Sequence, residues 1–406
     1  MSDNAKKFMP YGRQQIDDAD IEAVVAVLRS DFLTTGPVVD AFEAAFAEAV
    51  DARHAVAVSS GTAALHLTAL AAGLGEGDVA IVPAVTFLAT ANAVRYAGAE
   101  VVFSDVDPDT GLMTPQTFQE AIARAKGQNL RAVVPVHLNG QSADMRAIAD
   151  IAERHGMRVI EDACHALGAW YESAGGNAPR KVGACSHSDM AMFSGHPIKA
   201  VAMSEGGIIT TNDDALDGRL RVSRNHGMQR DPDVFTETDR AFDANGAANP
   251  WYYEMHEIGF NFRASDVHCA LGLSQLKKLD RFIEKRVALV DHYRAALRRL
   301  APVVEPLTLA DHGAPAWHVA VALIDFEAAG VERAAVMTRL RAQGIGTQVL
   351  YIPLYHQPYY RKRYGAMSLP GTERYYARSL SLPLFVDMEL ADVDQVVDEL
   401  ARALEL

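Results

Sequence analysis

An α/β fold built around a mainly parallel sheet is predicted by three observations. Short apolar runs alternate with amphipathic helical stretches from about residue 54 to residue 224. Glycines, prolines and small polar residues punctuate the changes of period. From Ser265 onward the pattern turns into a long helix followed by a few scattered strands. Alternation of the first kind gives parallel strands joined by crossover helices that cover both faces of the sheet. A chain of 406 residues exceeds what one ordinary core organises. We therefore expect a larger domain over residues 1–260 and a smaller α+β domain over 261–406, joined through the long helix.

The elements follow in order. Asp20 helps to start a first helix with Ile21, Val24, Val25 and Leu28 on one face. After a loop through Phe32 and Pro37, a second helix carries Phe42, Phe46 and Ala49. Strands are expected at 54–58, 79–83, 100–103, 132–136, 158–161, 190–193 and 207–211, and helices near 62–72, 86–96, 114–125, 145–155 and 214–224. A long helical pattern then runs from 265 to about 300. It is followed by strand-like 318–324, a helix near 334–343, strand-like 347–351 and a last helix over 389–404. Residues 171–182 and 229–250, rich in Gly, Ala, Asp, Asn and Pro, read as loops.

Composition narrows the function. Hydrophobic residues make up 49% and charged residues 22%, the balance of a globular protein. A formal charge of −14 argues against non-specific nucleic-acid binding. No apolar signal core opens the chain and no segment has the apolar length of a membrane span, so a cytoplasmic protein is expected. The three cysteines, Cys164, Cys185 and Cys269, are scattered without metal spacing, which suits a reducing compartment. No His-Glu-x-x-His, paired-cysteine, Walker or Gly-x-Ser-x-Gly pattern occurs, and no metal is expected.

The residues that carry chemistry fall after predicted strands, where open α/β sheets bind ligands. Lys199 follows the run Met190–Phe193 and a turn containing Gly195 and Pro197. A lysine desolvated there becomes a nucleophile towards aldehydes. Asp162, at the end of an earlier run, can face a protonated ring nitrogen, whereas Glu161 alternates to the other side. Ser59, Ser60, Gly61 and Thr62 join a strand to a helix and offer N–H groups and hydroxyls to a phosphate, although helix capping alone would use the same residues. Ser194 is a second phosphate contact. His165 suits a place beside the ring, Phe87 a ring face, and His196 a supporting turn position. Asn261 and Arg263 precede the long helix, where Arg263 can bind phosphate or carboxylate. Tyr351, His356, Tyr359, Tyr360 and Arg361 form an aromatic and basic cluster suited to a nucleotide. Each of these residues also has a plain structural use as a cap, core filler or ion pair.

Taken together, Ser-Ser-Gly-Thr at 59–62, Glu-Asp-Ala-Cys-His-Ala-Leu-Gly at 161–168, Ser-Gly-His-Pro-Ile-Lys at 194–199 and Ser-Glu-Gly-Gly at 204–207 resemble the DegT/DnrJ/EryC1/StrS nucleotide-sugar aminotransferases. Asp31–Pro37, Asn225–Met228 and Gly259–Arg263 extend the resemblance across nearly the whole chain. It implies a fold-type I transferase dependent on pyridoxal 5′-phosphate. Lys199 would carry the cofactor and shuttle protons, Asp162 would hold the ring nitrogen, His165 would lie near the ring oxygen, and Phe87 would cover one face. Ser60, Gly61, Thr62 and Ser194 would hold phosphate, with Asn261 reaching the neighbouring subunit of a homodimer. His196, Arg263, Tyr351, His356 and Tyr359 would serve the substrate. The sequence is most similar to the pseudaminic-acid branch, which implies a UDP-linked 4-keto-6-deoxy-N-acetylhexosamine as acceptor and L-glutamate as donor. A dTDP-ketosugar 3- or 4-aminotransferase, a sugar dehydratase of the same fold and a non-catalytic cofactor-binding module are the alternatives. Gly195, where many relatives carry an aromatic residue, is expected to widen the pocket.

Overall fold

The computed structural model describes residues 8–171 and 179–406. Its centre is a seven-stranded sheet. The strands are β1 (His54–Val58), β2 (Asp78–Pro83), β3 (Glu100–Ser104), β4 (Asn129–Val133), β5 (Arg158–Asp162), β6 (Met190–Ser194) and β7 (Gly207–Thr211). Their spatial order is β1-β7-β6-β5-β4-β2-β3. Strands β3, β2, β4, β5 and β6 run parallel, while β7 is inserted antiparallel between β6 and β1. In that register Gly207 stands opposite both Val58 and Ser194. The start of β7 therefore meets the ends of β1 and β6.

Helices cover both faces. On one lie α2 (Pro37–Val50), α5 (Pro115–Arg124) and α6 (Met145–Arg154), packed on Ala55, Ala57 and Ile81. On the other lie α3 (Gly61–Ala71), α4 (Leu88–Tyr96) and α7 (Asp214–Ser223), packed on Val56, Val58, Ala80 and Val82. Alternate residues of one strand thus enter opposite cores, and the strands read as continuous apolar runs. Phe46 is fully buried, its ring centroid 5.9 Å from Phe42 and 5.2 Å from Phe193. Burial of each such ring contributes about 1.5–3 kcal/mol.

The long helical pattern divides in two, α8 (Asp266–Leu276) and α9 (Leu279–Leu297). The break falls where Lys278 binds Asp17 at 2.6 Å and Asp20 at 2.7 Å, which ties the end of α8 to α1 (Asp18–Leu28). A three-stranded antiparallel sheet follows, from β8 (Val304–Pro306), β9 (Ala320–Ile324) and β10 (Ser379–Leu382). Helices α10 (Arg333–Ala342) and α13 (Leu390–Ala403) join its core; α11 (Pro358–Tyr364) and α12 (Pro370–Arg378) lie between them in sequence.

Several expectations change. The strand expected at 132–136 lies at Asn129–Val133, because Pro135 lacks the N–H that would continue the ladder. Residues 347–351 form no strand; Gln348 alone bridges Ser381. In α1 the buried residues are Asp20 and Val27, while Ile21 and Leu28 are exposed. Asp20 turns inward because Lys278 and Gln275 bind its carboxylate. Most of the expected loop at 171–182 falls on 172–178, outside the described residues, and Trp170–Tyr171 pairs with Arg180–Lys181. Among the described residues, no helix is long and apolar enough to cross a membrane and no His, Cys, Asp and Glu group could hold a metal ion.

Candidate active site

The ends of β1, β5 and β6 open onto one cavity of about 570 Å³. The strand ends supply Ser60, Asp162 and Ser194, the turn into α4 supplies Phe87, and the chain around Tyr351 closes it from the C-terminal side. Gly61, Thr62, His165, His196 and Lys199 line it as well. Ten of the sequence-predicted residues thus share one space: Ser60, Gly61, Thr62, Phe87, Asp162, His165, Ser194, His196, Lys199 and Tyr351.

Lys199 rides on a loop between β6 and β7. The loop is closed at its base by Gly195 N–H to the Gly206 carbonyl at 2.8 Å and Met203 N–H to the Gly195 carbonyl at 2.7 Å. Among the described residues the Lys199 amine makes no hydrogen bond or ion pair. Desolvation lowers its pKa below the ordinary lysine value, opposed by the nearby Asp162 carboxylate.

Asp162 is buried and held from two sides. The Thr90 hydroxyl donates to its Oδ2 at 2.7 Å, and the Cys164 N–H donates to its Oδ1 at 3.2 Å. Since Thr90 spends its proton on Asp162, its oxygen accepts from the Thr86 hydroxyl at 2.8 Å. Glu161, on the opposite side of the strand, joins a buried cluster with His137 at 2.8 Å and Ser188. The alternation expected of β5 is therefore observed.

The turn at the start of α3 has the shape of an anion cradle. Ser60 caps the helix by accepting the Ala63 N–H at 3.1 Å, so the capping use of this serine is real. The Gly61 and Thr62 N–H groups stay free among the described residues. A side-chain carbon on Gly61 would come within 3.0 Å of the Ser194 Cβ and 3.1 Å of its Oγ. One on Gly207 would come within 2.3 Å of the Ser60 carbonyl oxygen. Both glycines keep the space between β1, β6 and β7 open. A ring nitrogen at Asp162, an aldehyde at Lys199 and a phosphate at this helix N-terminus match the donors and charges present.

His165 accepts the Asn139 N–H on Nδ1 at 3.3 Å and lies 3.2 Å from the Tyr351 hydroxyl through Nε2. Its ring packs 4.2 Å from that of His318. Burial and the Lys199 charge push its pKa well below the usual histidine value, so the ring is neutral. Phe87 is 54% exposed, its ring 5.8 Å from Tyr351.

Other predicted residues lie elsewhere, among them Asn261, Arg263, His356 and Tyr359. Asn261 is exposed and bridges Asn225. Arg263 donates to the Asn225 side chain at 2.6 Å and lines a separate hollow with Arg221 and Arg224. His356 pairs with Glu373 at 2.9 Å. Tyr359 lies on the outer surface near Arg95, at 3.4 Å. Gly195 does not line the cavity, and the space beside it is filled by Met203, whose Cβ would lie 2.8 Å from an added side-chain carbon. The expected widening is therefore absent.

Sequence reasoning missed Thr86, Thr90, Tyr11, Asn139 and His318. Thr86 and Thr90 carry a signal, two hydroxyls four residues apart at a helix start after a strand. Tyr11 reaches the cavity through backbone pairing of the N-terminal segment with residues 344–346 and Leu384, and this has no local signal.

The profile of the DegT/DnrJ/EryC1/StrS aminotransferase family matches residues 14–401. The spore coat polysaccharide biosynthesis protein SpsC of Bacillus subtilis is 38% identical over 394 residues, covering 96% of each chain. Helicobacter pylori PseC, an aminotransferase of pseudaminic-acid biosynthesis, superposes with a TM-score of 0.85 at 27% identity, covering 98% of this chain and 100% of that one. DesI, solved in the presence of its TDP-sugar product, gives 0.83 at 33% identity over 98% of this chain and 93% of its own. The chain belongs to the DegT/DnrJ/EryC1/StrS aminotransferase family, pyridoxal-phosphate-dependent transferases that act on nucleotide sugars.

Proposed function

We propose that this sugar aminotransferase moves the amino group of L-glutamate to carbon 4 of a UDP-linked 4-keto-6-deoxy-N-acetylhexosamine, in two half-reactions on one site. The observation that carries the reading is the convergence of a free Lys199 amine, a doubly supported Asp162 and the Gly61–Ser194 cradle in one cavity. Bound pyridoxal phosphate supplies the electron sink for cleavage of a C–H bond beside nitrogen. Asp162 would hold the ring nitrogen, and Thr90 with the Cys164 N–H keeps that carboxylate aimed. Lys199 Nζ would take the proton from the glutamate Cα and later give one to sugar carbon 4. A single flexible amine would serve both transfers as base and then as acid. The UDP sugar and the pseudaminic-acid branch rest on the motif resemblance and on the likeness to PseC. The likeness to DesI supports a second reading, a dTDP-linked ketosugar.

The same reading makes the enzyme a cytoplasmic homodimer. Its three thiols are unpaired. Large apolar side chains are left exposed: Trp251 is 73% exposed and Ile258 83%, with Phe32 and Leu33 exposed as well. A second copy would cover them, and the motif resemblance gives Asn261 the part of reaching its neighbour's phosphate. Incubation with ¹⁵N-glutamate and a panel of UDP- and dTDP-4-ketosugars, read by mass spectrometry, tests the reaction. A ¹⁵N-labelled UDP-4-aminosugar is expected. Ketosugar consumed without nitrogen gain would establish the dehydratase reading instead, and light scattering that shows a monomer would remove the shared site.

A further inference from the structure

The tip of β5 carries two carboxylates, and only one of them serves the cavity. Glu161 points to the opposite face, where it is fully buried. Its Oε2 accepts the His137 Nε2–H at 2.8 Å, and its Oε1 accepts the Ser188 hydroxyl. The direction at His137 is fixed, because its Nδ1 accepts the Ala143 N–H at 3.1 Å and leaves the ring's proton on Nε2. Among the described residues no lysine or arginine pairs with Glu161. Apolar side chains of the same volume often fill such a place at equal or better stability. The use of the set therefore lies in the directions that its bonds impose.

Those bonds fall where the sheet stops holding Asp162. Regular pairing of β4 with β5 ends at Val133 and Val159, before Asp162 is reached, and Pro135 interrupts the ladder. Past that break the tip of β5 is held by the Asp162 N–H to the Pro135 carbonyl at 2.9 Å and by the His137 N–H to the Asp162 carbonyl at 3.0 Å. His137 thus grips Asp162 through its backbone and Glu161 through its ring. On the other side Ser188, just before β6, ties Glu161 to the strand whose Met192 pairs with Asp162. Glu161 is fastened to both neighbours of its strand, and Asp162, the next residue, cannot shift without stretching one of these bonds.

We propose that Glu161 is a positioning residue: fastened by His137 and Ser188, it sets the height of Asp162 on the sheet, and so the contact of that carboxylate with the ring nitrogen of the bound cofactor. The proposal rests on the reading that Asp162 faces that nitrogen. It assigns no chemistry to Glu161 itself, which does not line the cavity.

The test is the affinity of cofactor-free protein for pyridoxal phosphate, titrated by absorbance, in a double-mutant cycle with Asp162→Asn. Asp162→Asn keeps the cradle and Lys199, and its dissociation constant is expected to rise about tenfold or more. Glu161→Leu removes both fastenings and is expected to raise the constant about tenfold. Ser188→Ala deletes one hydroxyl at a half-buried position, leaves the His137 bond, and should give about a threefold rise. It carries the test if Glu161→Leu does not fold. Glu161→Gln, whose carbonyl still accepts from His137 and whose amide can donate to the Ser188 oxygen, should stay within about twofold of the wild type. In the Asp162→Asn background, Glu161→Leu and Ser188→Ala should each add less than about twofold, because their effect passes through the carboxylate already removed. Unchanged constants in Glu161→Leu and Ser188→Ala, beside a raised one in Asp162→Asn, would overturn the proposal. So would effects that add in full in the Asp162→Asn background, or an equal loss in Glu161→Gln, since a general loosening of the fold would then explain them. An unchanged constant in Asp162→Asn would remove the reading on which the proposal rests.

Discussion

Thr90→Val isolates the support beneath Asp162. The substitution keeps the β-branched shape and deletes one hydroxyl. Thr90 and Asp162 are both buried, and their contact of 2.7 Å is the length of a charge-assisted O–H···O⁻ bond. A hydrogen bond to a charged group contributes about 1.5–3 kcal/mol, and the carboxylate oxygen left without a partner cannot turn to water. The Cys164 N–H still serves Oδ1, so half the support remains. If that energy reaches the contact between Asp162 and the ring nitrogen, the cofactor dissociation constant rises about 10- to 150-fold. Titration of cofactor-free protein with pyridoxal phosphate, followed by absorbance, measures it directly. Thr90→Ser keeps the donor and should stay within about threefold of the wild type, since only a methyl group is lost. An unchanged constant in Thr90→Val, or an equal loss in Thr90→Ser, would refute the reasoning, because hydroxyl chemistry would not be what the site uses.

Three further outcomes follow from the same geometry. Gly207→Ala places a carbon 2.3 Å from the Ser60 carbonyl oxygen; backbone cannot yield cheaply, and an overpacking cost of about 1–3 kcal/mol should appear as loss of cofactor affinity in the same titration. Gly195→Ala collides with Met203 at 2.6–2.8 Å and should lower chemical stability by about 1–3 kcal/mol, with Met203→Ala restoring part of it in a double-mutant cycle of urea midpoints. Asp162→Asn removes a charge that holds the Lys199 proton on. The pH profile for covalent capture of Lys199 by a small aldehyde and borohydride should therefore move to lower pH, and a move to higher pH would contradict the assigned sign.

The strand and helix order of the sheet was legible because both faces are covered and the strands read as apolar runs. Lys199, Asp162 and the Gly61 turn were legible for a related reason, since each follows a strand end that topology carries to one edge. The break at Lys278 was not, because it depends on Asp17 and Asp20 far away in sequence. The exposed stripe of α1 misled in the same way: its period is helical, yet Asp20 and Val27 were chosen for burial by tertiary partners. Tyr359 and His356 looked like site residues by composition, but Glu373 and the outer edge of the sheet claim them. The effect of Gly195 could not be read without Met203, eight residues on, which folds back to fill the gap.

The antiparallel insertion of β7 also has a consequence for synthesis on the ribosome. Strand β1 ends at Val58, but the neighbour that completes it begins at Gly207, and the same glycine borders Ser194. Contacts so distant in sequence are made late, after the intervening loop has paid its closure entropy. A nascent chain shorter than about residue 211 can fold several βα units and still have nowhere to seat a phosphate. On the proposed reading the cofactor would meet an assembled sheet and, by binding only that state, would draw the folding equilibrium forward by mass action.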